Sequence, residues 1–254
     1  METALVQSAL VWEDPGKNRR HFSELLKPLA GSVDLVVLPE MFTTGFTMNP
    51  QNIPGEEGAR TLDWMLEQSS RANAALTGST VFREKGKQYN RLFFVMPDGT
   101  YECYDKRHTF TLAGEDKVYT RGTGRLQLNF REFTFCPLIC YDLRFPVWSR
   151  NTDGYDVLIY VANWPTPRVA AWDALLQARA IENMSYVLGV NRIGSDPNSL
   201  TYSGHSAAYD SLGNRLAFAE GEQILRVTLS KSHLRETRES LRFLQDRDRF
   251  SLES

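Results

Sequence analysis

The segment Val33–Leu38 (VDLVVL) is an apolar run rich in valine, the pattern of a strand buried on both faces. Such a strand needs cover above and below its sheet, so the chain must fold in several layers. The surrounding sequence supplies them. Thr3–Val11 reads as a strand, and Asp14-Pro15 opens a helix to about Ala30. Ala59–Asn73 reads as a helix with Leu62, Met65 and Leu66 on one face. Ala74–Phe82 and Tyr89–Met96 read as strands, and Asp98-Gly99 turns the chain into a third, Thr100–Lys106. Arg125–Phe130 and Phe133–Cys140 read as an antiparallel pair. Asp156–Ala162, a helix over Pro167–Asn183, and Ser185–Arg192 follow. The spacing then predicts a closing β meander of Tyr202–Asp210, Arg215–Ala219 and Gln223–Leu229, with residues from about 242 to 254 as a tail. Strands mix with helices without strict βαβ alternation, which implies an α/β fold of sheets between helical layers.

No repeat, low-complexity tract or linker divides the 254 residues, so residues 1–254 are expected to form one domain. A formal net charge of −2 argues against nucleic acid or a membrane surface as a general partner. No window approaches the roughly 20 apolar residues of a membrane span. Met1 to Val11 carries no basic flank, so it does not read as a signal peptide. Three cysteines make no disulfide framework, and with the other features imply a cytoplasmic location. Cys136 and Cys140 lie about 13 Å apart along one strand, beyond the roughly 7 Å that a disulfide tolerates. No metal ligand set accompanies them, and Cys103 reads as core. Without a Gly-x-Gly-x-x-Gly or Walker motif, no cofactor is expected.

Three groups at strand ends carry chemistry. The strand Phe135–Cys140 runs into Tyr141-Asp142-Leu143-Arg144-Phe145-Pro146, and the proline opens a helix. A thiol on such a turn lies near backbone N–H groups and a positive helix end, a setting expected to lower its pKa. By itself this segment leaves open whether Cys140 is a reactive or a buried structural thiol. Pro39 ends the strand before it, releasing Glu40 where ligands bind in open α/β sheets. Lys106 ends the strand Tyr101–Lys106. An exposed loop glutamate and a solvated lysine are the ordinary fates of such residues. Together the three define a mechanism: cysteine attacks a carbonyl carbon, glutamate moves the proton, and lysine holds the oxyanion. A Cys–His pair with His108 or His205 has no comparable support, and no Gly-x-Ser-x-Gly is present.

In this order the chain resembles the nitrilase (carbon–nitrogen hydrolase) superfamily. The matching strings are Leu38-Pro39-Glu40-Met41-Phe42, Tyr104–His108 and Cys140–Pro146. YVANWP (160–165), QARAIEN (177–183), Val190-Asn191-Arg192 and Gly204–Ser206 extend the match to about Leu229. The resemblance implies an αββα four-layer sandwich assembled as a homodimer. It implies Glu40 as general base, Lys106 as oxyanion stabiliser, Cys140 as nucleophile and the Tyr141 backbone N–H as a further oxyanion donor. It also implies Glu115 as a helper that orients the lysine, with Phe42, Trp164 and Arg144 as substrate-binding side chains. The nearest branch is that of bacterial omega-amidases, whose substrates are the small amides 2-oxoglutaramate and 2-oxosuccinamate. Val147 stands where many members have an acidic residue, which weakens transfer of fine specificity. Nitrilases, N-carbamoyl amino acid hydrolases, aliphatic amidases and silent binding relatives share the fold; the last have no need of all four polar residues.

Arg144 lies four residues after Cys140 at the start of the helix, where a guanidinium fork suits a substrate carboxylate. The alternative is an arginine that braces the turn by pairing with Asp142 or Asp156.

Overall fold

The computed structural model describes residues 1–252. In chain order its elements are β1 (Glu2–Gln7), α1 (Pro15–Leu26), β2 (Leu35–Val37), α2 (Glu57–Ala72), β3 (Ala75–Glu84), β4 (Lys87–Val95) and β5 (Tyr101–Asp105). There follow β6 (Leu128–Phe130), β7 (Phe133–Ile139), α3 (Pro146–Ser149), β8 (Val157–Ala162), α4 (Val169–Asn183) and β9 (Tyr186–Asn191). The chain ends with β10 (Ile193–Ser195), β11 (Thr201–Ser203), β12 (Ala207–Tyr209), β13 (Arg215–Phe218), β14 (Gln223–Thr228) and α5 (Lys231–Leu241). The strands form two six-stranded sheets, ordered β14-β1-β2-β3-β4-β5 and β13-β12-β9-β8-β7-β6, and one hairpin, β10-β11.

Alternation along the strands makes four layers. In β1 and β2, Leu5, Leu35 and Val37 join the core shared with the second sheet, whereas Ala4, Val6 and Val36 join a core formed with α1 and α2. Phe94 and Phe135 meet across the inter-sheet layer with ring centroids 5.3 Å apart. The outer helices are positioned by local chemistry. The Asp14 side chain caps α1 by accepting from Lys17 N at 2.9 Å, with Pro15 in the first turn. On the other side, α4 presses so closely on β9 that a Cβ at Gly189 would lie 2.4 Å from Leu176. Any larger residue there would push Leu176 and Trp172 aside.

Four expectations change. The meander does not exist as one unit: residues 201–203 pair with β10, β12 and β13 stay in the second sheet, and β14 crosses to β1 of the first. The free edge of β1 offers β14 six paired positions, a long-range choice that alternation cannot encode. Cys103 is exposed, because β5 is the outer strand of its sheet and that face is uncovered. The helix α5 went unforeseen because its sequence KSHLRETRESL buries only Leu234 and shows no apolar stripe. Within the expected tail, Phe243–Asp246 forms a 3₁₀ turn, and Arg247 donates to Thr152 O at 3.2 Å.

Candidate active site

The two sheets bring the carboxyl ends of five strands together. Glu40 follows β2, Lys106 follows β5, Cys140 follows β7, Asn163 follows β8, and Arg192 follows β9. Two of the turns hold non-glycine residues in the left-handed region, Met41 at φ 41° and Cys140 at φ 45°. Strain of this kind persists only where surrounding contacts enforce it. At Cys140 those contacts are visible. The Asp142 carboxylate accepts from Ile139 N at 3.0 Å, from His108 N at 2.9 Å and from Tyr104 Oη at 2.8 Å, fastening the turn from three sides.

Glu40, Lys106 and Glu115 are at most 1% exposed. Lys106 Nζ donates to Glu40 Oε1 at 2.8 Å and to Glu115 Oε2 at 2.9 Å. Asn90 Nδ2 donates to the same Glu40 oxygen at 2.8 Å, and Asn163 N donates to Glu40 Oε2 at 2.8 Å. Both oxygens of Glu40 are thereby held. Asn163 Nδ2 also binds the Glu40 backbone carbonyl at 2.6 Å, tying β8 to the end of β2. Glu115 is fixed in turn by Phe110 N at 2.5 Å. Behind Lys106 the chain is packed without slack, since a Cβ at Gly122 would lie 2.0 Å from Asp105 O.

Two buried carboxylates around one ammonium leave the cluster negative, and the electrostatics follow. Burial lowers the Lys106 pKa, but Glu115 and Glu40 outweigh it and hold the ammonium well above the usual lysine range. Burial raises Glu115. Burial, then the charge of Glu40, pushes the Cys140 thiol well above its ordinary value despite Lys106. This corrects the expectation of a lowered thiol pKa: the turn supplies backbone donors, but desolvation and a neighbouring carboxylate win. The resting Cys140 is a neutral thiol beside the Glu40 carboxylate.

A cavity of about 180 Å³ opens on this cluster, with Lys106, Cys140, Tyr141, Asn163, Arg144 and Trp164 among its lining residues. Phe46, Phe110 and Tyr202 add aromatic wall, and Arg168 adds a second guanidinium. Arg144 stacks 4.8 Å over Trp164. The partners of its bracing alternative are occupied elsewhere: Asp142 by His108 and Tyr104, Asp156 by Lys231 and Arg238. Arg144 makes no ion pair among the described residues. Phe42 does not line the cavity. Its ring lies in the helix-side core, edge-on to Phe22 at 5.4 Å, because the left-handed turn at Met41 carries the chain back over the sheet. Contrary to expectation, Phe42 is a core residue and has no place among the substrate-facing side chains. His108 stacks on Phe145 at 3.7 Å and His205 binds Asp173, so both rings have other partners.

Sequence reading missed Asn90 and Asn163. An asparagine inside the apolar strand QYNRLFF is a usable signal, because asparagine is depleted from strands and is costly to bury without partners. Among the described residues, no group of three or more His, Cys, Asp or Glu could hold a metal ion, and no helix is long and apolar enough to cross a membrane.

The profile of the family described as carbon-nitrogen hydrolase matches residues 2–239. Omega-amidase YafV of Escherichia coli K12 is 44% identical over 99% of this chain and 98% of its own length. The 2-oxoglutaramate amidase of Bacillus subtilis 168 is 31% identical over 95% of both chains. Among solved structures, the CN-hydrolase superfamily protein XC1258 of Xanthomonas campestris, which carries an arsenic adduct in its active site, superposes with a TM-score of 0.96. It is 41% identical and is covered over 99% of its length by 100% of this chain. By profile, by sequence and by the layering of its two sheets, the chain belongs to the carbon-nitrogen hydrolase family.

Proposed function

We propose that this C–N hydrolase is an omega-amidase, releasing ammonia from the distal amide of a small 2-oxo acid such as 2-oxoglutaramate or 2-oxosuccinamate through a thioester on Cys140. The observation that carries the reading is a neutral thiol and an ammonium at one cavity, with a buried, fully held carboxylate bonded to the ammonium behind them. The names of the relatives from Escherichia coli and Bacillus subtilis support the substrate class.

The chemistry follows from the charges. Glu40 takes the thiol proton as sulfur attacks the amide carbon, so charge need not build on sulfur beforehand. Two of the three Lys106 protons go to Glu40 and Glu115, leaving one for the developing oxyanion, which the Tyr141 backbone N–H also meets. Glu40 then gives its proton to the departing nitrogen, the C–N bond breaks, and ammonia leaves a thioester. Water, deprotonated by Glu40, attacks the thioester carbon; the C–S bond breaks, and the acid product and the neutral thiol are restored. Glu115 keeps Lys106 charged and oriented. Arg144, on Trp164, holds the substrate carboxylate.

The test is ammonia release across 2-oxoglutaramate, glutamine, a carbamoyl amino acid and a simple nitrile. The expected order places 2-oxoglutaramate first by kcat/KM. A preference for the nitrile or the carbamoyl compound would overturn the reading.

A further inference from the structure

The side chain of Asn163 is only partly accounted for by the interactions that hold the general base. The Asn163 backbone N–H donates to Glu40 Oε2 at 2.8 Å, and one Nδ2 proton goes to the Glu40 carbonyl at 2.6 Å. Its Oδ1 is buried and has no hydrogen-bond partner, although the residue is 5% exposed and lines the cavity with Cys140 and Lys106. Buried carbonyl oxygens are almost always satisfied, and an exception on a cavity-lining residue leaves an acceptor open to a donor from an incoming molecule. Swapping the amide does not remove the orphan, because Nδ2 is already fixed by the Glu40 carbonyl.

The donor can be identified by its chemistry, given the reading of the site as an amidase, on which this step rests. The amide carbon meets Cys140 and the amide oxygen meets Lys106. The amide nitrogen must face Glu40, which protonates it on departure. A nitrogen beside Glu40 is also beside Asn163, the residue bonded to both the carboxylate and the carbonyl of Glu40. The carboxamide –NH₂ is the only donor at the reacting end of such a substrate.

We infer that Asn163 is a specificity-determining residue whose Oδ1 accepts an N–H of the scissile carboxamide, selecting –NH₂ over –OR leaving groups. Accepting one N–H also sets the rotation of the nitrogen in the tetrahedral intermediate. Its lone pair then points at the Glu40 proton, and the C–N bond breaks as that proton transfers.

The experiment compares the full-length protein and its Asn163 variants on 2-oxoglutaramate and on the ω-methyl ester of 2-oxoglutarate, which lacks the donor. In Asn163→Ala, both substrates lose whatever the Glu40 contacts contribute. The ratio of kcat/KM for amide to ester is expected to fall about tenfold against wild type, the scale of one hydrogen bond. Asn163→Asp keeps an acceptor at the same reach and drops the donor to Glu40, so its ratio should stay within about threefold of wild type while its absolute rate falls. If the alanine protein does not fold, Asn163→Ser, too short to reach, carries the same expectation. Equal losses on amide and ester would show a role confined to Glu40 and overturn the inference, as would an aspartate ratio that collapses with the alanine one. Should wild type prefer a different amide, the proposed substrate fails, but the ratio is read on that amide and its ester.

Discussion

Lys106 and Glu40 stand 66 positions apart, yet Nζ and Oε1 meet at 2.8 Å where neither side chain sees appreciable solvent. A buried pair of this kind contributes little net stability, because desolvation offsets most of the attraction. Losing one partner is another matter. Lys106→Ala strands Glu40 and Glu115 side by side and should destabilise the protein by about 3–5 kcal/mol. Glu40→Gln and Lys106→Ala should each lower kcat by at least about two to three decades. The double variant should lose far less than the product of the two. Steady-state rates and urea midpoints on the three proteins decide this, and near-normal kcat in either single variant would remove that residue from the mechanism.

Cys140→Ala should abolish turnover and leave the melting temperature within a few degrees of wild type, because it removes one sulfur from a turn held by Asp142. Rapid quench of wild type with a slow substrate, followed by mass spectrometry, should place a covalent adduct on Cys140. An adduct on Cys103 or Cys136 would end the thioester mechanism.

The raised thiol pKa makes alkylation a direct probe. Iodoacetamide should label resting Cys140 slowly at neutral pH, with a rate that climbs into the alkaline range. Glu40→Gln deletes a negative charge that opposes ionisation, so it should shift that profile to lower pH. The sign is diagnostic. A profile that stays put or moves up in Glu40→Gln would mean that the carboxylate does not face the sulfur.

Tyr104, Tyr160 and Lys106 are all held above their ordinary pKa values in the fold, the tyrosines by burial and the lysine by its two carboxylates against burial. Unfolding at high pH therefore releases protons that the native state keeps. Their contribution to stability is complete below about pH 10, where the unfolded groups begin to titrate, and is lost as pH rises toward their folded values. Melting temperatures measured from pH 7 to 11 should be level at first and then fall. A rise toward pH 11 would contradict the burial of these groups.

Arg144→Lys should cut kcat/KM on 2-oxoglutaramate by roughly tenfold or more, since one charge-assisted bond is worth about 1.5–3 kcal/mol. Hydrolysis of an uncharged amide of similar length should change little. The melting temperature should also hold, because Arg144 stacks on Trp164 and braces no carboxylate. Equal losses on both amides with a lower melting temperature would return Arg144 to a bracing role.

The layer architecture was legible in the sequence because it depends on local periodicity. Val33–Leu38 announces a doubly covered strand, and from Leu35 to Leu38 its positions alternate between the two cores as a period of two requires. Pro39 and Pro146 mark where strand and helix boundaries fall, since each removes a backbone donor. The motif strings placed Glu40, Lys106 and Cys140 at strand ends; Lys106 and Cys140 line one cavity, and Glu40 is bonded to Lys106 behind it. Phe42 shows the limit of that reading. It sits two residues from Glu40, and a single left-handed turn sends its ring to the opposite face of the sheet.

Side-chain type and spacings of a few positions are local properties, so the elements and the candidate reactive residues could be read before the fold was known. The raised pKa of the thiol, the partner of β14, and the recruitment of Asn90 and Asn163 to Glu40 emerge in the folded chain alone. Each of these is set by groups that approach from distant parts of the chain, Asn163 lying 123 positions from Glu40. Desolvation and Coulomb interactions act over ångströms in space, and no local pattern records which charges will share a buried volume.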